Sequence, residues 1–329
     1  MAEGEAALAE ALRARDRRAL ARAITLVESR RAADRARGEA LLTGLLPHTG
    51  GAMRIGISGA PGVGKSTFIE AFGAHITAEG RRLAVLAVDP SSRRSGGSIL
   101  GDKTRMQALA RNPRAFIRPS PAGETLGGVA RHTREAILLT EAAGFDVALV
   151  ETVGVGQSET AVSEMVDLFV LLVGPGGGDE LQGIKRGVME LADLVLVTKA
   201  DGELKQAATR AAADYAHALH LMRPKYRGLT PRVLQVSSLE GRGVAEAWTT
   251  LREMHAALER SGELPTLRGN QRTQWLWSEL QAALSERLSE SALAVRAREV
   301  EQEVASGRVL PAAAARMLFS EFLRNEPQR

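Results

Sequence analysis

The segment that most constrains this chain is a glycine-rich run at residues 59–67, GAPGVGKST, which fits the spacing G-x-x-x-x-G-K-[ST]. An apolar run at residues 53–58 precedes it, and a helix-like segment at residues 68–77 follows. In such a turn, backbone N–H groups face phosphates, the lysine neutralises β- and γ-phosphate oxygens, and the serine hydroxyl reaches Mg²⁺. We therefore expect a nucleoside triphosphate site formed by Gly59, Pro61, Gly62, Val63, Gly64, Lys65, Ser66 and Thr67.

Short apolar runs alternate with helix-like segments through the middle of the chain. The runs lie at residues 53–58, 83–88, 115–118, 147–150, 168–173, 194–197 and 233–236. Strands buried on both faces and joined by helices are typical of a mostly parallel sheet. The sequence thus predicts an α/β P-loop NTPase domain at residues 51–262. Helical spacing predicts an N-terminal helical extension at 1–50 and a C-terminal helical arm at 263–329.

The amino-acid composition argues against several classes of function. The 329 residues include no cysteine, which excludes thiolate catalysis and favours oxygen ligands and Mg²⁺ for any metal site. Because the net charge is +4 and aromatic residues make up 4% of the chain, nucleic acid is not expected as a partner. No apolar run approaches the roughly 18 residues that a membrane span needs. Acidic residues among the N-terminal arginines argue against a transit peptide, so we expect a cytoplasmic protein.

Two later segments predict which nucleobase the bound nucleotide carries. Thr198, Lys199 and Asp201 follow the run at 194–197 and resemble the guanine-recognition motif N-K-x-D, with Thr in place of Asn. In that motif the carboxylate accepts two hydrogen bonds that adenine cannot offer. The alternative is a charged helix start after a strand. Ser237, Ser238 and Leu239 resemble the last base-contact loop of GTPases. GTP and GDP are the favoured nucleotides.

Two acidic residues are expected at the edge where the strands end. Asp89 follows the run at 83–88 and Glu151 follows the run at 147–150, so both are candidates to hold Mg²⁺ directly or through water. A helix cap or a solvated turn is the alternative for either residue alone. Gly154 is expected to contact the γ-phosphate. Because Val155 occupies the position where Ras-like enzymes carry a water-orienting Gln, we expect slow hydrolysis that a partner accelerates.

Several long segments together closely resemble the methylmalonyl-CoA-mutase-associated GTPases, the MeaB/ArgK type of the SIMIBI class. These segments are residues 59–67, 88–92, 96–106, 151–159 and 178–187. The resemblance implies a first switch around Asp102, which joins Ser66, Asp89 and Glu151 as a magnesium candidate, a second switch at 153–159, and a third at 179–185. The catalytic set it implies is Lys65, Asp102, Glu151, Gly154, Gln182 and Lys185. For Gln182 and Lys185, a solvated helix face is the alternative.

The same resemblance implies a GTP-hydrolysing chaperone that gates adenosylcobalamin loading and protection of an acyl-CoA mutase. It also implies a homodimer formed through the C-terminal helical arm at 263–329. Cobalamin would be held by that partner, since this chain has no D-x-H-x-x-G stretch. Two alternatives remain open. A metal-insertion GTPase of the same class should carry a Cys/His cluster, whereas the six histidines here are scattered, with His217 and His220 on one predicted helix. An ATP-using kinase linked to amino-acid transport is opposed by the Thr198 to Asp201 motif.

Overall fold

The computed structural model describes residues 3–29, 31–88, 106–119, 126–152, 158–176, 186–290 and 293–325. The chain divides into two compact units, residues 1–271 and residues 272–329. The seven strands of the first unit are β1 (Met53–Gly59), β2 (Leu83–Val88), β3 (Ala115–Arg118), β4 (Val147–Thr152), β5 (Leu168–Val173), β6 (Leu194–Val197) and β7 (Arg232–Gln235).

All seven strands form one parallel sheet in the order β3-β2-β4-β1-β5-β6-β7. The predicted α/β fold is confirmed, and every predicted run forms a strand. Three strands differ at their ends: β1 extends one residue further than predicted, to Gly59, β4 is longer, and β7 is shifted by one residue. β4 extends to Thr152, so Glu151 lies within the strand rather than after it. β7 begins one residue earlier than predicted because Arg232, an exposed edge residue, pairs with Leu194.

The helices of the first unit connect these strands and cover both faces of the sheet. They are α1 (Glu3–Arg13), α2 (Arg17–Val27), α3 (Ala32–Leu45), α4 (Lys65–Ala78), α5 (Gln107–Arg111), α6 (Leu126–Ala142), α7 (Ser158–Ser163), α8 (Arg186–Met189), α9 (Lys205–His220) and α10 (Val244–Arg260). Side chains of β5 alternate between the two faces, as a strand requires. Leu168 and Val170 pack in the cluster that contains α4 and α10, whereas Phe169 packs with α2, α6 and α7.

The predicted N-terminal extension consists of three helices that pack against the sheet domain. Asp16 begins α2 by accepting hydrogen bonds from Arg18 N (2.7 Å) and Ala19 N (3.3 Å). Leu12, Leu20 and Ile24 are fully buried in the same hydrophobic cluster as α6. The extension is therefore part of the first unit's core.

Three aspartates fasten the edge where the strands begin, which we call the amino edge. Each aspartate immediately precedes a strand, and its carboxylate accepts a backbone N–H from the start of a neighbouring strand. Asp146 accepts from Arg82 N at 2.7 Å, Asp167 from Arg54 N at 2.8 Å and Asp193 from Phe169 N at 2.7 Å. These bonds pair N–H groups at the end of the ladder, where a buried orphan donor would cost free energy.

The second unit is helical. Helix α11 (Glu263–Glu290) contains the boundary between the units, and α12 (Leu293–Ala305) and α13 (Pro311–Asn325) follow it. Val300, Ala314 and Phe322 form the small buried core of this unit. Pro265 lies within the first turn of α11, a position that tolerates proline because its missing N–H has no helical acceptor there. Among the described residues, no helix is both long and apolar enough to cross a membrane.

Candidate nucleotide-binding site

The glycine-rich loop connects β1 directly to α4, which begins at Lys65. Gly64 adopts φ 101°, a left-handed conformation that residues with a Cβ rarely tolerate. At Gly59 a Cβ would lie 2.5 Å from the carbonyl oxygen of Leu172, so glycine is required for the loop to leave the sheet. A Cβ on Gly62 or Gly64 would meet nothing within 4 Å, so protein atoms leave this side of the loop open. The loop thus offers the N-terminus of α4 to an anion of phosphate size.

Lys65 lies within this loop. Its ammonium donates hydrogen bonds to the carbonyl oxygens of Gly59 (2.6 Å) and Ala60 (3.2 Å). Burial lowers the pKa of Lys65, and the negative charges of Glu151 and Glu159 partly offset this by raising it. The two carboxylates therefore act on the same ammonium that the sequence assigns to phosphate binding.

The described magnesium candidates are Ser66 and Glu151. Ser66 lies in the first turn of α4 and is half-buried, and Glu151 is buried beside Ile57 of β1. Just after Glu151, the Thr152 hydroxyl donates to Ser58 Oγ at 2.8 Å and ties β4 to β1. A hydroxyl and a carboxylate are the oxygen ligands that Mg²⁺ prefers, so this pair fits the ion. The other predicted residues Asp89, Asp102, Gly154, Gln182 and Lys185 lie outside the described residues.

The predicted base segment is bonded to the phosphate loop. Thr198 is buried, and its hydroxyl contacts the carbonyl oxygen of Val63 at 2.7 Å and that of Val173 at 3.1 Å. Lys199, at φ 53°, donates from Nζ to the carbonyl oxygen of Gly62 at 2.8 Å. The structure therefore brings together two segments that are more than 130 residues apart in sequence.

The carboxylate of Asp201 is oriented by the second base segment. Ser237 Oγ donates to Asp201 Oδ2 and accepts from Glu240 N at 3.1 Å. Arg242 donates to the carbonyl oxygen of Ala200, which fixes the backbone beside Asp201. In the same loop Ser238 is half-buried and Leu239 is 83% exposed, so Leu239 presents an apolar surface to solvent.

Glu159 was not among the candidate site residues, although the family resemblance places it at the end of the second switch at 153–159. It lies in the first turn of α7, it is 1% exposed, and its charge acts on Lys65. The sequence signal for it is weak, because a Glu at a helix start is usually explained by the helix dipole. Its effect on the pKa of Lys65 is what associates this side chain with the site.

Other site types find no support in the described residues. Within the described ranges, no group of three or more His, Asp or Glu side chains is arranged to hold a metal ion. His217 and His220 both lie on α9 and are exposed.

A parallel sheet with this strand-loop-helix, a lysine in the loop and a guanine-type segment joined to it defines a P-loop GTPase. The sequence profile of the family described as "Methylmalonyl Co-A mutase-associated GTPase MeaB" matches residues 20–292. The chain belongs to this family, and it hydrolyses GTP.

Individual relatives agree with this assignment. The chain is 53% identical over 313 residues to a probable GTPase of Mycobacterium tuberculosis, covering 95% of this chain and 93% of the relative. It is 48% identical to the mitochondrial methylmalonic aciduria type A homolog of Mus musculus, covering 93% and 76%. A solved structure described as an LAO/AO transport system kinase superposes with a TM-score of 0.79 at 39% identity and covers 99% of both chains.

Proposed function

We propose that this GTPase is a chaperone that gates adenosylcobalamin loading and protection of methylmalonyl-CoA mutase or a closely related acyl-CoA mutase. The observation that carries the proposal is the family match across residues 20–292, which includes the whole nucleotide-binding domain. The similarity to a methylmalonic aciduria type A homolog over 93% of the chain supports it. A cytoplasmic setting for this encounter is part of the same proposal.

In this proposal the GTPase binds the nucleotide and the mutase binds cobalamin. This chain contributes the nucleotide site, in which Lys65, Ser66 and Glu151 face the phosphates and Mg²⁺, and Asp201 reads guanine. Cobalamin is held by the mutase, because this sequence has no D-x-H-x-x-G stretch to supply a lower-ligand histidine. Stoichiometric cobalamin bound to the isolated GTPase would contradict this division.

Hydrolysis is slow in the isolated protein and is accelerated by the mutase. The support is Val155, which replaces the water-orienting Gln of Ras-like enzymes. Asp102, Gly154, Gln182 and Lys185 complete the proposed catalytic and coupling set. Turnover of many GTP molecules per second without the mutase would contradict this part of the proposal.

The protein acts as a homodimer through its C-terminal helices. On α11, Trp277, Leu280 and Leu284 are 59%, 44% and 45% exposed, and their spacing of three and four residues places them along one side of the helix. Such a stripe is the seam that a second helix covers in a coiled coil. A second copy of the chain is the proposed occupant, because the stripe repeats over two helical turns within a 28-residue helix.

The dimer is tested by light scattering. Leu280→Glu combined with Leu284→Glu should convert dimers to monomers, whereas the exposed control Gln281→Glu, which adds one negative charge to the same helix, should leave dimers intact. A dimer that survives the double substitution would show that copies associate elsewhere.

A kinase is the alternative with an observation in its favour, namely the description of the solved relative. The hydrogen bond from Ser237 to Asp201 favours guanine, since it holds the carboxylate that would pair with the base. Comparing GDP with ADP affinity decides the matter. GDP should bind at least about 100-fold more tightly, and Asp201→Asn should abolish most of this preference because guanine then loses a charged acceptor.

The chaperone proposal is tested with purified apo methylmalonyl-CoA mutase. Adenosylcobalamin transfer into the mutase, followed by its absorption spectrum, should depend on whether this GTPase carries a non-hydrolysable GTP analogue or GDP. Lys65→Ala, which removes the phosphate ligand, should abolish the nucleotide dependence. Loading that is the same with either nucleotide, and no complex in gel filtration, would overturn the chaperone role while leaving GTP hydrolysis intact.

A further inference from the structure

An arginine occupies an unusual backbone position in the turn between α1 and α2. Arg15 has φ 68°, a left-handed conformation. Its N–H donates to the carbonyl oxygen of Leu12 at 2.9 Å, and the next N–H, of Asp16, donates to that of Ala11 at 3.0 Å. These two bonds form a Schellman motif, whose left-handed residue is usually glycine because a Cβ is unfavourable there. The backbone alone would favour glycine, so the side chain of Arg15 needs an explanation.

This side chain lies beside a second guanidinium. A Cβ on Gly144 would come 3.3 Å from Arg15 Nε and 3.4 Å from Arg82 Nη1, so the two guanidiniums flank one point at the amino edge. Gly144 is exposed, and without a Cβ it leaves this point open to solvent. Burial lowers the pKa of Arg82, and the positive charges of Arg15 and Arg17 lower it further. The point is therefore surrounded by positive charge.

Negative charge from the protein does not balance these guanidiniums. Among the residues that the structure describes, no carboxylate forms an ion pair with Arg15 or Arg82. Asp146 partly offsets the effects on the pKa of Arg82, but its carboxylate lies 3.5 Å from the guanidinium of Arg81. Arg82 Nη1 donates to the carbonyl oxygens of the two residues after α6, at 2.5 and 3.1 Å. Because a helix end carries only about half a negative charge, the two guanidiniums keep a positive excess of about one unit or more.

We propose that Arg15 and Arg82 form a binding site for a phosphate group, at the point that Gly144 leaves open. A left-handed arginine beside a like charge is unfavourable in two ways, and an anion between the guanidiniums turns the repulsion into attraction. A phosphate group carries up to about two negative charges and several acceptor oxygens, so it can accept a bond of about 2.8 Å from each guanidinium. The site lies at the opposite sheet edge from the glycine-rich loop and is independent of the chaperone proposal.

The test uses the full chain with saturating GDP and Mg²⁺, so that the glycine-rich loop is already occupied. The melting temperature is measured with inorganic phosphate and, separately, with glycerol 3-phosphate. Each is compared with sodium chloride of equal ionic strength, because salt alone screens like charges. Phosphate at about ten times its dissociation constant should raise the melting temperature by about 3 °C. A larger rise with glycerol 3-phosphate at the same concentration would identify the ligand as a phosphate monoester, and an equal or smaller rise would identify free phosphate.

Substitutions at position 15 separate binding from stability. Arg15→Gly relieves the left-handed strain and the repulsion, so it should raise the melting temperature in the absence of phosphate. In calorimetric titration it should weaken phosphate binding about ten-fold, because a charge-assisted bond is lost. Arg15→Lys keeps the charge but loses the paired donors and should bind with intermediate affinity. The control is Arg210→Gln, which removes one exposed positive charge on α9 and should leave phosphate affinity unchanged.

Two results would overturn the proposal. One is a melting temperature that rises no more with phosphate than with sodium chloride. The other is an Arg15→Gly protein that binds phosphate as tightly as the wild type, even if its melting temperature is higher. In either case Arg15 and Arg82 are a solvated positive surface with no ligand.

Discussion

The two edges of the central sheet are held together by different chemistry. At the edge where the strands end, the carboxyl edge, loops are joined by single bonds to backbone carbonyls, such as Thr198 to Val63 and Lys199 to Gly62. At the amino edge, paired charges are buried. Arg268 of α11 donates to both carboxylate oxygens of Asp167, at 2.8 and 2.7 Å, and to the carbonyl oxygens of Gly50 and Ala52.

A second buried pair reinforces the amino edge. Arg54 donates from Nε and Nη2 to the two carboxylate oxygens of Glu141, at 2.8 and 3.0 Å, and Glu141 also accepts from Gly50 N. Backbone-directed bonds allow loops to rearrange around a ligand, whereas a buried pair that loses one partner leaves an uncompensated charge. From this contrast we expect residues at the carboxyl edge to determine nucleotide affinity and residues at the amino edge to determine the stability of the fold. Substitutions at the two edges can test this expectation.

The largest effect on stability is expected for Arg268→Met. It leaves Asp167 buried without its bidentate partner, which should cost about 3 to 5 kcal/mol of unfolding free energy. GDP affinity at low temperature should stay unchanged, because Arg268 contacts only the amino edge. Urea unfolding and calorimetric GDP titration measure the two quantities, with the exposed Arg272→Met as control. If Arg268→Met also weakens GDP binding, the two edges do not have the separate roles that we expect.

Lys65→Ala should produce the opposite pattern. Loss of the ammonium that we expect to face the β- and γ-phosphates should weaken GTP and GDP binding by more than about 100-fold, or about 3 kcal/mol. The unfolding free energy should change little, since burial already disfavours the charged side chain. Fluorescent-nucleotide titration is the measurement, and the exposed Lys205→Ala on α9 is the control. Retained affinity would mean that the phosphates bind elsewhere.

Much of this arrangement could be predicted from the sequence, for a physical reason. A strand buried on both faces must be continuously apolar, so the bounds of β2, β5 and β6 could be read from the sequence without error. The phosphate loop is equally readable, because its glycines meet local backbone requirements. Local rules thus account for the sheet and for the loop at its carboxyl edge.

What the sequence did not predict depends on partners far along the chain. Arg268 and Asp167 are 101 residues apart, and nothing local in either segment points to the other. Glu159 likewise acts on the pKa of Lys65, which lies far earlier in the chain. The helix α11 begins at Glu263, the residue at which the C-terminal arm was predicted to start, since proline is tolerated in a first turn. The amino edge, built from such distant pairs, was therefore the least predictable region.

A smaller effect on stability is expected from pH, and it distinguishes two aspartates of the amino edge. Burial raises the pKa of Asp193 to about 6, and Lys225, 3.5 Å away, opposes this rise. Burial also acts to raise the pKa of Asp167, but hydrogen bonds from Arg268 and His255 outweigh it and lower this pKa to about 2. Between pH 4 and 6 folded Asp193 keeps a proton that the unfolded chain releases. Unfolding free energy should therefore fall by about 2 kcal/mol across this window as pH rises.

Asp193→Asn should remove this fall, as measured by urea unfolding at several pH values. Lys225→Met should move the fall to higher pH, because Lys225 no longer stabilises the carboxylate. A wild-type protein whose stability rises steadily from pH 4 to 6, with no difference in Asp193→Asn, would show that Asp193 is as well paired as Asp167.

The smallest effect tests the link between the two halves of the nucleotide site. Thr198→Val keeps the shape of the side chain but removes the hydroxyl from the carbonyl oxygen of Val63, at a cost of about 1 kcal/mol. Because this bond joins the base segment to the phosphate loop, GDP affinity should fall about five- to ten-fold. Thr209→Val, which removes an exposed hydroxyl on α9, is the control for calorimetric titration. Thr198→Asn restores an acceptor and donor at this position and should bind GDP as tightly as the wild type. If Thr198→Val lowers the unfolding free energy without changing GDP affinity, residues at the carboxyl edge also stabilise the fold. That result would contradict the expectation that only the amino edge does so.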